Sequence, residues 1–378
     1  MMAKHELISS DSHIVEPPDL WVSGMEGRFK DRAPHMVVDE AGMARWYVDG
    51  DTPLGSVGAP SQAGLRYEDP ESITFEGMIQ DVRPGAYDPG PRLKDLEVDG
   101  VDGEVIYPTL GARLYTILES DLLSACFRAS NDWMAEFCKA NPDIFKGNAL
   151  INVDEIQKAT MELERCARMG LPGAMITTYP GHDMGYDDPA YWPFWAAAQD
   201  LGVVLSMHVA SNRPGPGQVS VFTTEGTEKG AAAFSVTQDY WVRHSVASMI
   251  FSGVFEKYPN LKVAIVEHEL AWAPYFLRTM DWHYQELSQV APYRFKEGKL
   301  PSDFFGSNIT LSFQQDDIGI MLRSIIGVDA LTWGSDYPHA ESTWPRSREV
   351  LDSMLADVPP EERRKIVCDN VAGLFNFS

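Results

Sequence analysis

Residues 203–209 read VVLSMHV. This short apolar run, rich in β-branched residues, stops on a histidine and reads as a buried parallel strand. Gly202 stands before it, closing a helical pattern over Pro189–Leu201, and a Gly-, Pro-, Ser- and Thr-rich stretch follows. The same grammar recurs at residues 262–268, KVAIVEH, and 308–313, NITLSF. Working outward gives eight candidate strands: Glu6–Ser12, Gly103–Pro108, Gly147–Ile151, Gly173–Thr178, Val203–Val209, Lys262–Glu267, Asn308–Phe313 and Leu331–Ser335. Helical spacing predicts helices at Leu118–Ala140, Asp154–Arg168, Pro189–Leu201, Ser245–Lys257, Leu270–Leu287 and Asp316–Ile326, with Trp344–Leu355 and Glu361–Phe375 closing the chain. Strands alternating with helices predict a (β/α)8 TIM barrel rather than an open sheet.

Two stretches break that alternation. Residues 17–96 are too long for a crossover helix and rich in Pro, Gly and Asp, so they read as an insertion after the first strand, packed over the barrel mouth or used in a dimer. Residues 211–233 follow the fifth strand directly and read as a lid loop. The 378 residues, 44% hydrophobic and 23% charged, suit a single distorted barrel domain over 1–378.

The net charge of -24 argues against nucleic acid and anionic membranes as partners. It also means that an anionic substrate must be drawn in by a metal or a local Arg. The cysteines, Cys126, Cys138, Cys166 and Cys368, have no CxxC spacing and read as small buried apolar residues. Without an apolar leader or an apolar run of about 18 residues, the chain reads as soluble and cytoplasmic.

Chemistry collects at the strand ends. Asp11 and His13, two apart on a strand, point to one side and can chelate a cation; a capped strand end with an incidental His has the same spelling. His208 ends an apolar strand as either a ligand or a hydrogen-bonded core histidine. Glu267, His268 and Glu269 follow the buried strand KVAIV, where such groups are costly unless paired, metal-bound or at a wet mouth. Asp336, in the Gly-Ser-Asp turn after the eighth strand, is a rim carboxylate or an N-cap. Together these residues occupy the C-terminal ends of strands one, five, six and eight, the face where barrel enzymes carry their sites. His and carboxylate donors suit Zn2+ or Mn2+. Glu16 can orient a ligand histidine or cap the Pro17-Pro18 turn, Glu267 can hold His268 or pair with a Lys, and His339 and Arg243 are candidates for touching substrate.

Three motifs, DSHIVEPPDLW (11–21), FSGVFEKYPNLKVAIVEHELAWAPYFLRTMD (251–281) and WGSDYPH (333–339), resemble the amidohydrolase-related group that includes aminocarboxymuconate semialdehyde decarboxylase, γ-resorcylate decarboxylase and many metal-dependent hydrolases. The resemblance spans nearly the whole chain. It implies metal ligation by Asp11, His13, His208 and Asp336, with His268 and Asp336 as catalytic groups. Asp-x-His stands here where better-known members have His-x-His or Glu-x-His, which leaves the metal open between Zn2+ and Mn2+. The fourth strand, GAMITTYP, lacks the Lys or Glu that bridges two metals in binuclear relatives, so one ion is expected. The resemblance also implies a small-molecule substrate and a homodimer.

Two chemistries use this set. One is non-oxidative decarboxylation of a small aromatic or unsaturated carboxylic acid. The other is hydrolysis of an ester, lactone, amide or C–C bond by metal-activated water. A non-catalytic binding scaffold is the remote third reading.

Overall fold

The computed structural model describes residues 5–181, 184–211, 213 and 236–377. Eleven strands are present among them: β1 (Ile8–Ile14), β2 (His35–Val38), β3 (Ala44–Val48), β4 (Thr52–Ser56), β5 (Gly103–Pro108), β6 (Phe145–Leu150), β7 (Gly173–Ile176), β8 (Val204–His208), β9 (Val263–Val266), β10 (Ile309–Phe313) and β11 (Leu331–Trp333). Eight form one sheet in the order β1-β5-β6-β7-β8-β9-β10-β11, with every ladder parallel. These are the eight strands read from the sequence, each within a few residues of its expected ends.

The sheet curls until β11 meets β1. Ser10 Oγ donates to Trp333 O at 2.9 Å, the Asp336 N–H to Asp11 O at 2.8 Å, and the His13 N–H to Tyr337 O at 2.6 Å. This seam makes the sheet a nearly closed (β/α)8 barrel. Gly334 is required there: a Cβ on it would lie 2.5 Å from Asp11 Cβ and 2.9 Å from Asp11 N. The eight barrel strands are buried along their whole length except for Lys146, because helices cover the outside and side chains fill the inside.

The helix Ser120–Lys139 shows how the outer layer forms. Its Leu122, Leu123, Cys126, Phe127, Met134 and Phe137 fall on one face and are buried against β6. Each large side chain so buried contributes about 1.5–3 kcal/mol.

Three helical expectations need correction. The helix expected at Ser245–Lys257 begins earlier, runs Asp239–Phe251, and restarts as Val254–Lys257 after Gly253 turns left-handed at φ 79°. Asp316–Ile326 divides into Asp317–Met321 and Arg323–Ile326. A helix at Pro89–Asp99 begins inside the stretch read as insertion. Asp88 caps its start by accepting from Gly90 N, and Gly100 at φ 70° ends it.

The rest of residues 17–96 holds the antiparallel sheet β2-β3-β4 and short helical turns. Trp21 and Trp46 meet edge to face at 5.3 Å, and Trp21 Nε1 donates to Cys126 O and Ser130 Oγ, tying this stretch to the helix ring. Of the stretch read as a lid, Ser211 and Arg213 are described; the remainder of 211–233 lies outside the described residues.

Candidate metal centre and catalytic site

The strand ends at one mouth of the barrel bring Asp11, His13, His208, Glu267 and Asp336 together. Asp11 and His13 lie on β1, and His208 is the last residue of β8. Glu267 follows β9, and Asp336 follows β11 by three residues. Glu267, Glu269 and Asp336 have φ of 60°, 53° and 60°, and Ala210 just past β8 has 65°. Left-handed backbone is costly for such residues and tends to collect at functional sites. Here it turns carboxylates back over the barrel end.

His13 Nε2 lies 3.1 Å from His208 Nε2, 3.4 Å from Asp11 Oδ1 and 3.5 Å from Asp336 Oδ1. His208 Nε2 lies 3.5 Å from Asp11 Oδ1 and 3.2 Å from Glu267 Oε2. Ligands about 2.0–2.2 Å from one ion sit roughly 3–4 Å from each other, the spacing seen here. None of Asp11 Oδ1, Glu267 Oε2 or Asp336 Oδ1 receives a well-aligned hydrogen bond, although all three atoms are buried. The largest group among the described residues that could hold an ion is Asp11, His13, His208 and Glu267; Asp336 joins His13 and His339 in one adjoining group and Glu267 and Glu341 in another.

The electrostatics point the same way. Burial, then the neighbouring Asp336, pushes the Glu267 carboxyl well above its usual range, and burial followed by Glu341 does so for Asp336. Burial opposes ionisation of Asp11 too, but the His208 charge and the close approach of both histidine rings outweigh it and hold that carboxyl below its usual range. Burial, then the His339 charge, holds His13 down to about 3. Burial opposes the charge on His208 as well, but the Asp11 and Glu267 carboxyls outweigh it and raise that imidazole to about 9, so His208 carries the proton that a divalent cation would displace from this crowd of buried acidic groups. His208 Nδ1 contacts Val209 O at 3.0 Å, which as a donated hydrogen bond leaves the Nε2 lone pair for a ligand role. The donor set therefore fits a divalent metal.

The other sequence candidates fall in different places. His268 is buried, with neither ring nitrogen hydrogen-bonded, and burial followed by the His208 charge lowers it to about 3. His339 belongs to the cluster: Nδ1 is 2.9 Å from Asp336 Oδ1, Nε2 is 3.1 Å from Thr109 Oγ1, and the ring stacks on His13 at 4.1 Å. Glu16 neither orients a ligand histidine nor caps the Pro17-Pro18 turn. Its carboxylate accepts from Leu110 N at 2.9 Å and Gly111 N at 2.7 Å, capping the turn after β5. The Glu267 carboxylate neither holds His268 nor pairs with a Lys; it faces His208 and His13. Arg243 pairs with Asp239 at 2.7 Å and lines a separate hollow with Tyr240 and Trp272.

The sequence reading passed over Tyr107, Thr109, Arg92 and Arg113. Tyr107 and Thr109 sit at the end of β5, where position alone was a signal; the Tyr107 ring is 5.1 Å from that of His208. Arg92 had no local signal, since its partners are Glu104 and the carbonyl of His13. A cavity of about 160 Å3 opens on the cluster, lined by His13, His208, Glu267, His339, Thr109 and Arg113 among others.

The amidohydrolase family pattern matches residues 69–377. The chain belongs to the amidohydrolase family. Within it, the chain is 25% identical over 303 residues to gamma-resorcylate decarboxylase of Polaromonas sp., covering 76% of this chain and 87% of that one. It is 24% identical over 278 residues to 2-amino-3-carboxymuconate-6-semialdehyde decarboxylase of Dictyostelium discoideum, covering 69% of each. Among solved structures, an amidohydrolase from Mycobacterium avium superposes with a TM-score of 0.75 at 20% identity, covering 99% of this chain and 100% of that one. A dihydroxybenzoic acid decarboxylase from Polaromonas sp., solved with bound manganese and 2-nitroresorcinol, superposes at 0.64 and 18% identity, covering 98% and 97%. These likenesses carry the barrel fold. No described helix is long and apolar enough to cross a membrane.

Proposed function

We propose that this amidohydrolase-family enzyme is a metal-dependent, non-oxidative decarboxylase of a small aromatic or unsaturated carboxylic acid. The observation that carries the reading is the gathering of Asp11 Oδ1, His13 Nε2, His208 Nε2 and Glu267 Oε2 into one group, with Asp336 Oδ1 3.5 Å from His13 Nε2, at the end of a cavity sized for one ring. The decarboxylase activities of the sequence relatives support it.

Asp11, His13 and His208 would hold one divalent ion; Glu267 groups with all three, and Asp336, the ligand the family resemblance implies, reaches the same centre through its place beside His13 and Glu267. When bound, the ion neutralises these carboxylates and polarises substrate oxygens. The manganese in the related decarboxylase structure favours Mn2+ over Zn2+ here. Apolar residues such as Pro60 and Phe75, from the stretch 17–96, line the cavity and support a role for that stretch over the mouth. Asp336 or His268 delivers a proton to the carbon that bears the carboxylate. The C–C bond then breaks, its electron pair returns to the ring or double bond, and CO2 leaves. Thr109 positions the His339 ring, whose Nδ1 lies 2.9 Å from Asp336 Oδ1. The family resemblance supports a homodimer.

The test is to load the protein with Mn2+ and incubate it with hydroxybenzoic acids in D2O. Release of CO2 with one deuterium at the vacated carbon is expected. No CO2, together with 18O uptake from water into ester or lactone products, would replace this reading with the hydrolase.

A further inference from the structure

Arg113 is the one arginine or lysine among the described residues that line the cavity. Its neighbours there include Glu267 and Glu341, in a chain whose net charge is -24. A substrate anion entering such a cavity is repelled unless a fixed positive charge meets it.

Three features place the guanidinium. Arg113 ends the helical turn Leu110–Arg113, and the buried Glu16 carboxylate holds that turn through the Leu110 and Gly111 N–H groups. Arg113 Nη1 donates to Leu54 O at 3.2 Å, on β4 of the small antiparallel sheet. The next residue, Gly55, has φ 129°, and a Cβ there would land on Arg113 Nη1. The sheet thus leaves, by lacking one side chain, the space the guanidinium fills. Thr109, on the same turn, adds a hydroxyl to the cavity wall.

We propose that Arg113 is a specificity-determining anion anchor, and that the preferred substrate is a small diacid: one carboxylate goes to the metal centre and a second to Arg113. The planar, fork-shaped donor array of Arg suits a carboxylate better than a point charge does. The proposal rests on the decarboxylase reading for which carboxylate is lost, while recognition of the second one can be measured without turnover.

The experiment measures binding of benzoate, phthalate, isophthalate and terephthalate to the Mn2+-loaded protein by titration calorimetry. The three diacids sample three separations of the charges. At least one should bind about 10- to 100-fold more tightly than benzoate, the range expected for a charged hydrogen-bonded pair. Arg113→Met should abolish that preference and weaken benzoate by a much smaller factor, through the loss of positive charge alone, and Arg113→Lys should keep part of the preference. A wild-type protein that binds no diacid more tightly than benzoate would overturn the proposal. So would an Arg113→Met variant that keeps the preference, or one that loses benzoate equally, which would mark Arg113 as a strut for Leu54. A CO2-release assay on the same protein is separate: no turnover with the diacid preference intact removes the decarboxylase reading and leaves the anchor.

Discussion

Arg92 Nη1 donates to the main-chain carbonyl of His13 at 2.7 Å. The same guanidinium makes a two-pronged pair with Glu104, at 2.7 and 2.8 Å, with both side chains fully buried. On its other side His13 donates its N–H to Tyr337 O. A central residue of the cluster is therefore gripped through its backbone from the helix Pro89–Asp99 and from the turn after β11. Lost grips of this kind in metal sites cost about 10–100-fold in affinity.

Arg92→Met should destabilise the protein by about 3–5 kcal/mol, because it strands the Glu104 charge. Arg92→Met with Glu104→Leu should restore most of that loss, yet bind Mn2+ at least ~10-fold more weakly than wild type. Urea unfolding and metal titration separate the two effects. Full recovery of metal affinity in the double variant would show that the grip on His13 has no bearing on the site.

His208→Ala should abolish bound metal and activity together, as read by metal content per chain. His268→Ala should keep the metal and lose about 10²–10⁴-fold in kcat, the usual contribution of a positioned proton carrier. Metal loss in the His268 variant would make His268 a ligand instead.

Gly334→Ala forces a methyl into the seam between β11 and Asp11. Overpacking of this kind costs about 1–3 kcal/mol. Because the displaced neighbour is a candidate ligand, metal affinity should fall with stability. An unaltered Mn2+ titration would show that the seam relaxes away from the site.

Burial raises the Glu16 carboxyl to about 7, even though its two N–H partners pull the other way. A folded-state value above the unfolded value, about 4.3, means the folded state holds the proton more tightly. This stability is present below pH about 4.3 and is lost as pH rises through about 7. Unfolding midpoints across that window should fall more steeply for wild type than for Glu16→Gln. Parallel curves would show that Glu16 does not carry the dependence.

The barrel was legible because each buried parallel strand is a continuous apolar run that carries its own signal, with Gly and Pro marking the helix ends. The rim was legible because titratable residues at the ends of such runs stand out. The helix Pro89–Asp99 was hidden by Pro89, Gly90 and Pro91 at its start and by a mostly polar body. Where Arg243 points was not legible, because a charge beside a helix start says nothing about which hollow it faces; in the fold it lines one with Tyr240 and Trp272.

The sequence by itself determined the eight strands, their alternation with helices, and the residue types at the strand ends, since these depend on neighbours a few positions away. Only the tertiary structure decided that Glu267 turns to His208, that Glu16 reaches 94 residues along the chain to Leu110, and that Arg92 grips His13 across 79. Those choices are made where barrel closure brings distant backbone together, and no local pattern of residues encodes that meeting.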